Sequence, residues 1–358
     1  MPSLKEIKGR INSISSTLAI TSAMKMVAAA KLQKAQMAIQ NMLPYERRLH
    51  SMLIDLMGAM NISAAASEDG SVRGSGSAER GFDQSGDRLS LSNRHDLAGM
   101  DGAYSLMAQR EVRKVAIVAF ASNSSLCGAF NSNVIREATA VINEYRASGL
   151  RDSDIVVYSV GRKMAEAMRK LGFPSPADFT KMSDSPSYEA ASALAQELLD
   201  GFVSGRFDKV ELVYNHYKST SSQPTTRQTY LPLSLADATA DLQAGKITDS
   251  ASETDTNRVA EPVGAPVVRQ GSPTTEDLIV EPSKEALIAT LLPKVIRLRI
   301  FTTLLDSAAA EHAARTVAMQ LATDNGNDLL QELTLEYNKG RQQKITSEIL
   351  DLVGGSMQ

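Results

Sequence analysis

The chain has 358 residues, 43% of them hydrophobic and 5% aromatic, with no Trp. That is enough apolar material for two domains, and the Ala, Leu, Ile, Met and Lys-rich balance favours helix against helix over an aromatic-rich sandwich. A net charge of -3 excludes little, but a single cysteine, Cys127, excludes an intramolecular disulfide and hence a disulfide-stapled secreted domain.

Charge is unevenly spread. Residues 1–50 hold eight Lys or Arg against Glu6 and Glu46, whereas 236–281 hold nine acids against three bases. The basic N-terminal end suits an acidic partner. No apolar run approaches the roughly 18 residues of a membrane span, and the helical pattern begins at once after Pro2, leaving no room for a signal or transit segment. A protein soluble by itself in a reducing compartment is expected.

Ser3 and Glu6 form a capping-box pattern that opens the first helix. From Leu4 the spacing three, four, three, four picks out Leu4, Ile7, Ile11, Ile14, Leu18, Thr21, Lys25, Ala28, Leu32, Ala35, Ile39, Met42, Glu46, Leu49, Leu53, Leu56 and Met60, fourteen of seventeen apolar. Such a sustained repeat marks a coiled-coil seam. It fails at Thr21 and Lys25, where either a local stutter with a snorkelling lysine or a surface facing a third body fits. Pro44 is expected to end or kink the helix.

Residues 61–110 contain sixteen Gly or Ser without periodicity and read as a flexible insertion. Lys114–Phe120, Asp154–Val160 and Lys209–Tyr217 read as buried strands, with helices over about 131–147, after Gly161 to Leu171, and over Tyr188–Val203. Strands alternating with helices predict a parallel sheet, so 111–235 is expected to be a small three-layer, Rossmann-like α/β domain, with Thr225–Leu233 as an antiparallel edge strand. Residues 236–275 form a second, acidic insertion, Asp277–Glu281 a short strand, and 276–358 the C-terminal coiled-coil part.

From Lys284 to Val353 the chain reads as one helix, roughly 105 Å long, interrupted only by Pro293. Leu298, Phe301, Leu305, Ala308, Ala309, Ala313, Val317, Leu321, Leu330, Leu333, Ile345, Ile349 and Leu352 carry its apolar spacing. A rod of this length needs a partner along its flank, and residues 1–60 supply one. The fold class expected is therefore α/β, a long antiparallel two-helix coiled coil from both termini plus the small α/β domain. The second helix outruns the first, so its end must be sheathed by another protein or exposed.

Enzyme chemistry is hard to find. The loop after the first strand, Asn123-Ser124-Ser125-Leu126-Cys127-Gly128, is not a phosphate-binding glycine loop, and Gly245-Lys246 is followed by Ile247 instead of Ser or Thr. His50, His95, His216 and His312 are scattered, so Cys127 has no evident base and His312 no second metal ligand one turn away. Glu311 and Arg315 read as a helix-face pair. The N-terminal lysines spread round their helix with no aromatic platform, which argues against nucleic acid. No catalytic residue, cofactor or metal is expected.

Ser-Leu-Lys-Glu-Ile-Lys-Gly-Arg-Ile at 3–11, Ile-Thr-Ser-Ala-Met-Lys-Met-Val-Ala-Ala-Ala-Lys-Leu at 20–32, Glu-His-Ala-Ala-Arg-Thr-Val-Ala-Met at 311–319, Ala-Thr-Asp-Asn-Gly at 322–326 and the run 332–349 closely resemble the gamma subunit of F-type ATP synthases. The resemblance covers the rod and, more loosely, the α/β domain, but neither insertion. It implies a rotor shaft without an active site, turning inside a ring of alpha and beta subunits, resting on a membrane ring of c subunits and touching an epsilon subunit.

By the same resemblance Met24 and Lys25 would face the moving lever of a beta subunit, and Arg315, Gln342, Thr346 and Glu348 would serve coupling and shaft-ring contact. Leu278, Val280 and Glu281 would lie at the c-ring and epsilon foot. The family loop Asp-Arg-Gly-Leu-Cys-Gly-Gly-Leu-Asn is replaced here by Asn-Ser-Ser-Leu-Cys-Gly-Ala-Phe-Asn at 123–131. The resemblance implies a peripheral protein on the cytoplasmic face of a bacterial inner membrane. The competing reading is an α/β nucleotide-binding enzyme or sensor with a coiled-coil arm.

Overall fold

The computed structural model describes residues 3–68, 106, 110–233 and 284–355. Helix α1 spans Leu4–Glu68. Strand β1 (Val115–Phe120) is followed by α2 (Phe130–Ala147), β2 (Ile155–Val160), α3 (Arg162–Lys170), the short α4 (Thr180–Asp184), α5 (Tyr188–Val203), β3 (Lys209–Asn215), β4 (Thr225–Leu231) and α6 (Lys284–Gly355). The short strand expected at Asp277–Glu281 lies outside the described residues.

The sheet has the order β2-β1-β3-β4. β1 pairs in parallel with β2 and β3, and β4 pairs antiparallel with β3. β1 is buried along its whole length because it is central in the sheet and covered on both faces. Its alternating side chains feed two cores. Val115, Ile117 and Ala119 pack on α2 and α3 through Val134, Val141, Met164 and Met168. Ala116, Val118 and Phe120 join Leu194 and Leu198 of α5, together with Leu49, Leu53 and Leu56 of α1 and Leu292, Ile296 and Leu304 of α6. The lower halves of the long helices are thus a layer of the domain.

β1 leads into a loop that must clear the start of α3. Gly161, the residue before α3, has φ 96°, and a Cβ there would lie 2.0 Å from the Ala121 carbonyl oxygen. No side chain fits this turn. On the opposite edge a buried carboxylate ties β4 in place: Glu211 accepts from Tyr145 Oη at 2.7 Å, Lys209 Nζ at 2.7 Å and Arg227 Nε at 2.8 Å. Burial acts to raise the Glu211 carboxyl, but these donors outweigh it and hold the group below its ordinary value.

Above the domain α1 and α6 continue side by side. Thr302 Oγ1 donates to Glu46 at 3.0 Å and Thr323 Oγ1 to Thr21 at 3.1 Å. Higher still, a Cβ at Gly326 would lie 2.6 Å from Leu18 Cδ2, and one at Gly340 3.2 Å from Leu4 Cδ2. Residue numbers rise along one helix as they fall along the other, so the pair is antiparallel. The positions picked out by spacing from Leu4 to Leu56 are all buried or half-buried, Thr21 and Lys25 included.

Pro44 sits inside α1, so of the two outcomes expected of it the helix end does not occur. The missing N–H of proline costs one backbone bond, and the buried Leu49, Leu53 and Leu56 hold the following turns against the domain. α1 also runs eight residues past the expected limit at residue 60, to Glu68. Only half of the capping box forms: Glu6 N donates to Ser3 Oγ at 3.2 Å, while the Glu6 carboxylate turns to Arg10 at 2.9 Å. Leu321 is 57% exposed and leaves the interface to Thr323 and Gly326. The short α4 was not anticipated.

The junction of α1 with the inner core gives a direct test. Leu53 is 0% exposed, and Leu53→Ala is expected to cost about 3 kcal/mol through lost burial and a residual cavity. Urea unfolding should show a lower midpoint at unchanged slope.

Candidate functional site

The residues singled out from sequence do not converge on one site. Met24 and Lys25 are half-buried on α1 beside the exposed Ile20, Met26 and Val27. Gln342, Thr346 and Glu348 stand on the last turns of α6, beyond the contact of Gly340 with Leu4. There Thr346 Oγ1 donates back to the Gln342 carbonyl at 2.9 Å and Lys344 lies 3.7 Å from Glu348. Gln342 is roughly 40 Å along the helix from Arg315. Leu278, Val280 and Glu281 lie outside the described residues.

Arg315 is the exception to this exposed arrangement. Its guanidinium is 2.8 Å from Glu311, with the two side chains 11% and 10% exposed. The expected helix-face pair is therefore buried. Arg315 Nη2 also donates to Ser124 Oγ at 2.7 Å, and Nη1 lies 3.4 Å from His312 Nδ1. Burial, then the charges of Arg315 and Lys31, push His312 down to about 4, so it is a neutral acceptor near pH 7. Burial raises Glu311 above its ordinary value, with Arg315 opposing.

The loop that meets Arg315 is internally fixed. Asn131 Nδ2 donates to the Ser124 carbonyl at 3.1 Å and lies 3.2 Å from Cys127 Sγ. Asn123 accepts from Arg162 N and donates to the Thr180 carbonyl, each at 2.7 Å. Cys127 is buried against Phe130 and Ala310. Leu126, at φ 68° and 58% exposed, is held outward in a conformation that leucine rarely adopts.

A second junction lies one domain strand away, unmarked by any sequence motif. Asp306 of α6 accepts from Tyr217 N at 2.9 Å through one carboxylate oxygen, and its other oxygen is 2.6 Å from His216 Nδ1. Gln36 of α1 donates to Tyr217 Oη at 2.6 Å, so the end of β3 is tied to both long helices. An acidic residue directly after Leu304 and Leu305 was the available signal.

The switch point of the sheet has no room for a small molecule. The order β2-β1-β3 puts the reversal of strand order beside the C-terminal end of β1, where open α/β sheets hold ligands. Here the space at Phe120, Ala121 and Val160 is filled by Leu304, Ser307, Ala308 and Glu311 of α6, leaving about 10 Å³. A ligand pocket needs several hundred Å³, roughly 300 or more. Among the described residues no group of three or more His, Cys, Asp or Glu could hold a metal ion, and no helix is long and apolar enough to cross a membrane.

Comparison with known proteins is consistent along the whole chain. The ATP synthase family profile matches residues 3–357. An ATP synthase gamma chain from Phocaeicola vulgatus is 47% identical over 357 residues, covering 100% of both chains. One from Parabacteroides distasonis is 40% identical, covering 99% of each chain, and one from Flavobacterium johnsoniae is 36% identical over 99% of this chain and 98% of its own. Among solved structures, the rotor of Euglena gracilis mitochondrial ATP synthase matches with a TM-score of 0.50 at 18% identity, over 96% of this chain and 98% of the other. At that identity the likeness concerns the fold.

The His216–Asp306 pair predicts a pH dependence. Its hydrogen bond to Asp306 raises His216 above 6.5 in the folded state, against burial and Lys218. A raised pKa gives stabilisation that is complete below the unfolded-state value and lost as pH rises through the folded-state value. The thermal midpoint of the chain should therefore decline across that interval, and Asp306→Asn should flatten the decline.

Proposed function

The chain belongs to the ATP synthase gamma-chain family and is the non-catalytic central-stalk rotor subunit of that complex; from this premise we propose how it meets its partners. α1 and α6 wind into an antiparallel coiled coil that turns within a ring of alpha and beta subunits. The α/β domain, together with Leu278, Val280 and Glu281, rests on the c-subunit ring and the epsilon subunit. The protein is then peripheral to the membrane through the c ring, on the cytoplasmic face of a bacterial inner membrane. It carries torque between an ion-driven c ring, proton or sodium, and the catalytic ring.

The observation that carries this reading is the unpaired end of α6. Beyond Gly340 the helix continues to Gly355, roughly 22 Å without a mate among the described helices. Ile345, Ile349, Leu350, Leu352 and Val353 are exposed there, Leu352 at 75%. Isolated exposed leucines are ordinary, but an apolar series on a free helix end fits a surrounding collar. Met24, with Lys25, faces the beta lever from the half-buried break in the apolar repeat, and Gln342, Thr346 and Glu348 contact the ring near the tip. Arg315 serves coupling from inside the junction.

No bond is made or broken on this shaft. An asymmetric rod touches three equivalent catalytic sites differently, so each orientation favours a different conformation at each site. Rotation exchanges those preferences, and the work is the differential binding energy between rod and ring. The tightly filled crevice at the C-terminal end of β1 speaks against the nucleotide-sensor alternative, which would place its ligand there.

Two measurements test this. The isolated chain is expected to show no ATP binding in the micromolar range and to co-purify with alpha, beta and epsilon subunits when they are co-expressed; micromolar ATP affinity would overturn the rotor reading. Met24→Lys places a second cation beside Lys25 and is expected to lower ions pumped per ATP while assembly stays intact. Unchanged pumping removes Met24 from the contact.

A further inference from the structure

α6 is braced by the α/β domain at successive heights. At the bottom Tyr230 Oη donates to the Ile296 carbonyl at 2.8 Å and Arg297 Nη2 to Gln196 at 2.5 Å. Midway Asp306 receives Tyr217 N and faces His216. At the top Arg315 donates to Ser124. From Ile296 to Arg315 this series spans roughly 28 Å of helix. Among the described residues Ser124 makes the uppermost polar contact between domain and shaft.

We infer that Ser124 is a positioning residue for coupling: its hydroxyl holds the Arg315 guanidinium inward against Glu311 and so helps set the angle of α6 at the top of the domain. This rests on the rotor reading and deepens it. A guanidinium has five N–H donors, and one carboxylate cannot satisfy a buried one. Glu311 and Ser124 both accept from Nη2, and the neutral His312 lies beside Nη1. Ser124 cannot drift, since its carbonyl is held by Asn131 and its neighbour Asn123 is tied to α3 and α4.

The hydrogen bond itself shows what a hydroxyl does at this position. The family loop carries an arginine here, which can only donate, whereas the serine hydroxyl accepts from Arg315. The arrangement also separates two tasks. Arg315 is enclosed and cannot contact a ring subunit while it holds this geometry, so it acts through the angle of α6. Leu126, two residues on, is held outward by the same loop.

Ser124 is itself exposed, so its substitution should spare the fold. In the full isolated chain, Ser124→Ala is expected to speed amide exchange about tenfold at 122–131 and at 312–318 with β2 and β3 unchanged. Ser124→Thr keeps the hydroxyl and should retain the original pattern. In the complex reconstituted into vesicles, Ser124→Ala is expected to lower ions pumped per ATP roughly threefold, with ATP hydrolysis and subunit recovery unchanged, and Ser124→Thr to restore pumping.

Unaltered exchange in Ser124→Ala would overturn the brace. Altered exchange with full pumping, or an equal loss in Ser124→Thr, would overturn its part in coupling. If the unmodified complex fails to pump, the rotor reading falls, while the exchange result still decides whether the brace exists.

Discussion

Everything in this protein depends on one fused core. Among the described residues the inner face of the sheet, through Ala116, Val118 and Phe120, is covered only in part by α5 and by Met182 of α4. Leu49, Leu53 and Leu56 of α1 and the apolar face of α6 from Ile288 to Leu304 complete it. Each fully buried leucine in such a layer contributes about 2 kcal/mol of transfer free energy. The long helices are therefore anchored by the same apolar burial that folds the domain. A domain merely tethered to a rod would pivot; one that shares its core with the rod moves with it.

Polar contacts then fix rotation about the helix axes, which apolar packing leaves soft. Hydrogen bonds are directional, and those with a charged partner are the stronger kind. Asp306 with His216 and Tyr217, and Arg315 with Ser124 and Glu311, are of this kind. Both sit where the shaft is still in contact with the domain. Higher up the helices meet through small and flexible groups, Thr21 with Thr323 and Leu18 with Gly326, whose close approach leaves little room between the backbones. The transition from charged braces to close contacts between uncharged groups divides the braced base from the slender upper shaft.

Much of this was legible in the sequence because it follows from periodicity. The three-four spacing from Leu4 to Leu56 marked the face of α1 that is covered, and buried runs such as Val115–Phe120 marked the strands. Tyr188–Val203 has the bounds expected of it. What spacing cannot show is a contact made by one atom across the chain, so Ser124 with Arg315, separated by 191 positions, went unseen. Leu321 was misplaced because a helix of 3.6 residues per turn drifts from a 3.5 repeat, and the tight Gly326 contact resets which side chains face the partner. Pro44 does not end α1 because local propensity is overridden by the buried leucines beyond it.

The pairing of the two chain ends has a consequence for biosynthesis. Thr21 must wait for Thr323, 302 positions later, before its half of the shaft has a mate. At about 5–20 residues per second the ribosome takes roughly 15–60 s to cover that distance. Throughout that interval the upper part of the nascent α1 offers its uncovered apolar positions, from Leu4 to Leu18, to its surroundings. Such positions attract chaperones and other nascent chains alike, so the order in which this subunit's segments are made ties its maturation to protection during translation.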